Sequence, residues 1–161
     1  MDWWALATAV AICIATAGAE GALSGKELPR WLASLAHPRL YAPLWAWVAA
    51  ALATYLIQGL VAYRLLAGPL ATAGWLALAA LIAVMAANVA YNVILDRTRD
   101  ARWAFVGLLY FLPLLAVLQL CLFFADRPGF WAHLAYAAWV VLYDLPVMHG
   151  LWKLNPERRS S

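Results

Sequence analysis

Apolar residues run in five long blocks along the 161-residue chain, and most charged ones fall in the breaks between them. The blocks are Trp3 to Leu23, Pro43 to Leu66, Pro69 to Leu95, Trp103 to Phe124 and Phe130 to Trp152. A hydrocarbon layer about 30 Å thick takes about 20 residues of helix, and each block reaches that length. Lipid offers no partner to a free backbone N–H or C=O, so each block must satisfy its own backbone as a helix. The pattern predicts an all-α polytopic membrane protein, a bundle of five transmembrane helices forming one domain over residues 1–161. The first block follows Met1 and Asp2 directly with no basic segment before it, which predicts a retained span and not a cleaved signal. Gly68-Pro69 is expected to turn the chain and place Pro69 in the first turn of the third helix. Arg127-Pro128-Gly129 is expected to do the same before the fifth.

Composition agrees, since 67% of residues are hydrophobic and a soluble domain of this size cannot hide that much apolar surface. Charge then orients the spans. Lys26, Arg30, Arg39, Arg97, Arg99, Arg102, Lys153, Arg158 and Arg159 fall on one side, and Arg64 and Arg127 on the other. Nine against two predicts the N-terminus outside and the C-terminus in the cytoplasm. The net charge of +3 is explained by that placement and implies no nucleic acid. Trp3, Trp4, Trp31, Trp45, Trp103, Trp131 and Trp152 lie near span ends, as an interfacial belt requires. Small residues spaced four apart from Ala15 to Ala22 predict close packing of the first helix on a neighbour or a second copy.

Few residues remain to carry chemistry. Cys13 and Cys121 sit in apolar blocks without metal spacing and read as packed thiols. His133 and His149 lie near opposite ends of the fifth span without two-His metal spacing and read as interfacial, and no Ser or Cys has a base near it, so no metal ligands and no catalytic residues are expected. On helical spacing Ala51, Tyr55, Gln58 and Ala62 share a face of the second span. Asn88, Tyr91 and Asn92 cluster on the third, and Tyr136, Trp139 and Tyr143 on the fifth. Apolar walls with isolated amides and phenols suit a flat, mostly hydrophobic ligand, although such amides also serve as interhelical bonds. Asp144 is the sharpest residue. A carboxylate at that depth costs about 2.5–3.5 kcal/mol on an insertion scale. It is expected to face a cavity between the second and fifth spans, near Tyr55 or Gln58.

Trp31, Leu35, Pro38, Pro43, Trp45 and Tyr55 form a gapless pattern, joined by Asn88 and Tyr91 in the third span and Tyr136 and Trp139 in the fifth. This resembles the TspO/MBR family of tryptophan-rich sensory and translocator proteins. The resemblance implies a five-helix fold and a homodimer in lipid. It also implies a receptor, sensor or transporter for a porphyrin, haem or a sterol-like or isoprenoid lipid, with no obligatory cofactor but a tetrapyrrole or lipid as bound guest. The implied binding set is Trp31, Pro38, Trp45, Trp47, Ala51, Tyr55, Gln58, Asn88, Tyr91, Asn92, Tyr136, Trp139, Tyr143 and Asp144. The chain departs from the pattern at Leu32, His37, Ala42, Ala51 and Tyr91, and the last span has no clean counterpart of the Asn near its end. Two alternatives stand beside binding: an isomerase-like enzyme using Asp144, and a structural subunit of a larger complex. Leu28 to Leu35 is expected to form an amphipathic lid, with Arg30, His37 and Arg39 above the cavity suited to ligand carboxylates.

Overall fold

The computed structural model describes residues 1–23, 25, 27–69 and 71–156. Lys26, Arg158 and Arg159, counted above for orientation, lie outside the described residues. Helices α1 (Trp3–Leu23), α3 (Leu44–Ala67), α4 (Thr72–Thr98) and α5 (Ala101–Ala125) are four spans. The fifth is composite: α6 (Arg127–Trp139), a π-helical turn (Val140–Asp144) and α7 (Leu145–Leu154) run without a break. A short α2 (Glu27–Ala33) lies between the first two spans. All five are long and apolar enough to cross a membrane.

Contacts set the order around the bundle. α1 packs on α3 and α4, α3 also on α6, and α5 on α4, α6 and α7. The spans therefore close a ring in which the first and fifth flank the second, and the third and fourth complete the circle. The core is aliphatic, with Val61, Leu81, Val84, Leu118, Leu122 and Leu151 fully buried. Trp3, Trp4, Trp45, Trp103 and Trp131 are exposed, as a belt facing lipid and interface requires.

Local chemistry fixes the helix ends. The Asp2 carboxylate accepts from the backbone N–H groups of Trp4 and Ala5, capping α1 at its dipole's positive end. Arg99 takes a left-handed conformation (φ 45°) to close α4, and Asp100 then caps α5 through Arg102 N–H. Pro69 lies before α4, not inside it: its carbonyl accepts from Ala71 N–H at 2.8 Å, and the helix begins at Thr72. Pro128, in contrast, sits in the first turn of α6. Next to it, Gly129 leaves room for the Asp126 carboxylate, whose Oδ2 would lie 2.3 Å from a Cβ there. That carboxylate receives both Nε and a terminal nitrogen of Arg64, at 2.9 and 2.8 Å, locking the end of α3 to the start of α6.

Within the bundle the glycines of α1 make no close approach to another helix. A Cβ on Gly18 or Gly21 would meet nothing within 4 Å. Close approach of α1 to α3 occurs instead at Gly59, where a Cβ would stand 3.1 Å from Cys13 Sγ, and that thiol contacts the Tyr55 carbonyl.

Candidate ligand cavity

At the α2 end of the bundle the helices part around a cavity of about 670 Å³. Its walls come from α2, the segment that follows it, and all five spans. Glu20, Trp47, Ala51, Tyr55, Asn88, Tyr91, Asn92, Tyr136, Trp139 and Asp144 line it, with Leu108 and Phe111 from α5. Leu44, Val48 and Ala51 are both lining and solvent-exposed, so the cavity opens along α3.

Of the residues singled out in the sequence, nine are on this wall: Trp47, Ala51, Tyr55, Asn88, Tyr91, Asn92, Tyr136, Trp139 and Asp144. Five are not. Trp45 is 72% exposed and faces outward, because two residues turn a helix by about 200° and only Trp47 can point in. Gln58 is 2% exposed, one turn beyond Tyr55, and buried in the core. Trp31 packs against the core's edge. Pro38 lies against α7, where a Cβ on Gly150 would meet it at 3.0 Å. Tyr143 stands behind the wall and braces it. Its ring contacts Trp139 (4.3 Å) and Trp47 (5.7 Å), and its hydroxyl donates to the Leu40 carbonyl at 2.7 Å.

Sequence reasoning missed the central polar group. That group is Glu20. In the fold one of its oxygens accepts the Tyr55 hydroxyl at 2.5 Å and the other the Asn92 amide at 2.6 Å, joining α1, α3 and α4 on the cavity wall. Only the coincidence of three helices at one depth reveals this, and no local pattern in α1 signals it. Tyr136 lies within electrostatic reach of Glu20, Tyr55 and Asp144. Asp144 accepts from the Trp139 side chain, with Tyr91, Tyr136 and Tyr143 in electrostatic reach, and Gln58, expected beside it, lies in the core off the cavity wall. Its Oδ1 is buried without a hydrogen-bond partner.

The turn carrying Tyr143 and Asp144 explains their aim. Pro146 has no N–H and crowds the Leu142 carbonyl one turn back, so the α ladder cannot continue through it. The helix widens, and Leu145 N–H reaches five residues back to the Val140 carbonyl. Tyr91 is placed by a different device. A Cβ on Gly107 would stand 2.8 Å from its ring, so only glycine lets the phenol lie on α5 and donate to the Ala104 carbonyl.

The segment over the mouth is tied down at both ends. Asn155 accepts from Ala36 N–H and donates to the Ala36 and Leu151 carbonyls. His37 Nε2 donates to the Leu32 carbonyl and its ring stacks on Tyr41 at 4.0 Å. Burial pushes the Tyr41 phenol above its ordinary range, with Tyr143 adding to the shift, so it stays neutral. Leu28, Pro29, Leu32 and Ala33 of α2 form the roof. The basic mouth expected from sequence does not form as such: Arg30 pairs with Glu27 on the exposed face of α2, and Arg39 is exposed and off the wall.

Five spans and this cavity coincide with a family match: the TspO/MBR family model aligns with residues 9–145. The chain belongs to the TspO/MBR family. The match covers most of the chain, including every wall residue named above. No curated protein matches the chain. As a TspO/MBR protein it is an integral, multi-pass membrane protein of a family of membrane sensors and transporters of hydrophobic ligands.

Proposed function

We propose that this TspO/MBR protein binds a flat, largely hydrophobic molecule, of tetrapyrrole or sterol-like class, in the cavity and acts as its membrane sensor or carrier. The observation that supports this most is the cavity of about 670 Å³, apolar and aromatic on most of its wall, with amides and carboxylates at isolated points. Ala51 is the position to fill. A Trp there occupies the space between α3 and the fifth span, and affinity for dehydroergosterol falls at least about tenfold, the equivalent of about 1.4 kcal/mol. Quenching of intrinsic Trp fluorescence in detergent reads this. If dehydroergosterol gives no saturable quenching of the wild-type protein, the proposal fails.

The mouth is proposed to face the cytoplasm, on the strength of the nine-to-two division of basic residues. A reporter fused after Ser161 should then read cytoplasmic and one between Gly68 and Pro69 the opposite side. The reverse pattern overturns the assignment. The bare Gly18 and Gly21 on α1 support a homodimer through that face.

A further inference from the structure

Within the hydrophobic class, charge distinguishes ligands, and the cavity has a definite sign. Two carboxylates, Glu20 and Asp144, are on its wall. Among the described residues no Lys or Arg lines it, and the histidine at the rim, His37, has its Nε2 committed to the Leu32 carbonyl. The two acids are not equivalent. Each Glu20 oxygen already receives a donor, from Tyr55 and from Asn92. Asp144 Oδ1 is buried and receives none. A carboxylate oxygen removed from water with no donor and no cation is strongly unfavourable, and it persists in a fold where something else completes it.

The surroundings of Asp144 indicate what completes it. The Trp139 side chain already donates to the carboxylate, and Oδ1 is the oxygen left unpartnered. The rings of Trp139, Trp47 and Tyr143 form one cluster, with centroid separations of 4.3, 5.7 and 6.4 Å. Aromatic faces next to a carboxylate with one unpartnered oxygen bind a desolvated organic cation through ion pairing and ring quadrupole together. The same arrangement repels an anionic group, because ligand carboxylates would meet Glu20 and Asp144 with no cation on the described wall. The apolar remainder of the wall takes the body of the molecule, and the opening along α3 at exposed Leu44 and Val48 admits an amphiphile from the membrane.

We propose that the cavity selects lipophilic amines: a flat apolar body bearing one basic nitrogen that pairs with the Asp144 carboxylate against the Trp139 ring. This rests on the reading of the cavity as a hydrophobic binding site and adds the ligand's charge to it.

Three pyrene probes of nearly equal shape separate the two ideas: pyrenemethylamine, pyrenemethanol and pyrenecarboxylate. Energy transfer from protein Trp to pyrene, in a neutral detergent and with partition into empty micelles subtracted, gives each affinity. The amine should bind tightest and the carboxylate weakest, the amine exceeding the alcohol by about 10- to 100-fold, as expected of a charge-assisted bond. In Asp144→Asn the amine-to-alcohol ratio should fall to within about threefold, with helical content and monodispersity as the folding control. If no probe binds, the hydrophobic-site reading itself falls. If the alcohol binds as well as the amine, or Asp144→Asn keeps the ratio, the charge selectivity is wrong while the hydrophobic site stands. Should Asp144→Asn fail to fold, the wild-type order decides alone, and a carboxylate bound more tightly than the amine overturns the proposal.

Discussion

At the residue scale the most consequential contacts are made by Glu20, whose two oxygens each take one donor from a different helix. Its substitutions separate shape from charge. Gln has the same outline. Its oxygen can accept the Asn92 amide and its nitrogen can donate to the Tyr55 oxygen, so both partners stay satisfied without a charge. Leu satisfies neither and strands a hydroxyl and an amide on a partly buried wall. Glu20→Leu should therefore lose about 1–3 kcal/mol of stability, and Glu20→Gln less than about 1 kcal/mol. Thermal melting of the two variants in one detergent tests this. Equal losses would mean that charge, and not hydrogen-bond geometry, holds the three helices together.

At the scale of elements the decisive feature is the wide turn of the fifth span. Pro146 prevents α-helical pairing with the Leu142 carbonyl, and the Val140–Asp144 turn absorbs the fault at the cavity wall. Restoring an N–H with Pro146→Ala removes the reason for the wide turn. The helix would then close to the regular ladder, and residues on either side of it would rotate relative to each other by about 100° per residue gained or lost. Melting temperature should hold or rise, because a backbone hydrogen bond is gained. Probe affinity should fall, because Trp139 and Asp144 no longer share their aim. Paired melting and fluorescence titrations check this, and unchanged affinity would show that the π turn does not position the site.

For the whole molecule, the bundle closes as a ring of five spans whose inner face is polar-spotted near the mouth and mostly aliphatic away from it, with Gln58 and His133 buried there. Its helices carry two kinds of glycine. Gly59 is filled by Cys13 at 3.1 Å, whereas Gly18 meets nothing within 4 Å. Gly59→Leu should push α1 from α3 and lower the melting temperature by several degrees, on the scale of an overpacked core, about 1–3 kcal/mol. Gly18→Leu should leave melting near wild type and weaken cross-linking between copies. Cross-linking in native membranes reads the second effect, and undiminished dimer with Gly18→Leu would remove α1 from the interface.

Five spans, their α-helical state and the family were legible in the sequence, because lipid imposes them one segment at a time. A block of about 20 apolar residues has no alternative to a helix there, whatever its neighbours do. The faces of α3 and α4 were legible too, since Tyr55, Asn88 and Asn92 follow from spacing along one helix and do line the cavity. What depends on two or more segments was not. Trp45 and Trp47 are equally plausible on paper until the azimuth of α3 is set by α1 and α6, and only then does Trp47 turn inward. Glu20 becomes a junction, Gly107 a seat for Tyr91 and Asn155 a clamp on Ala36 because residues far apart in the chain meet at one depth. The solvent decided the elements from the sequence alone. The packing of helix on helix decided which side chains face the ligand.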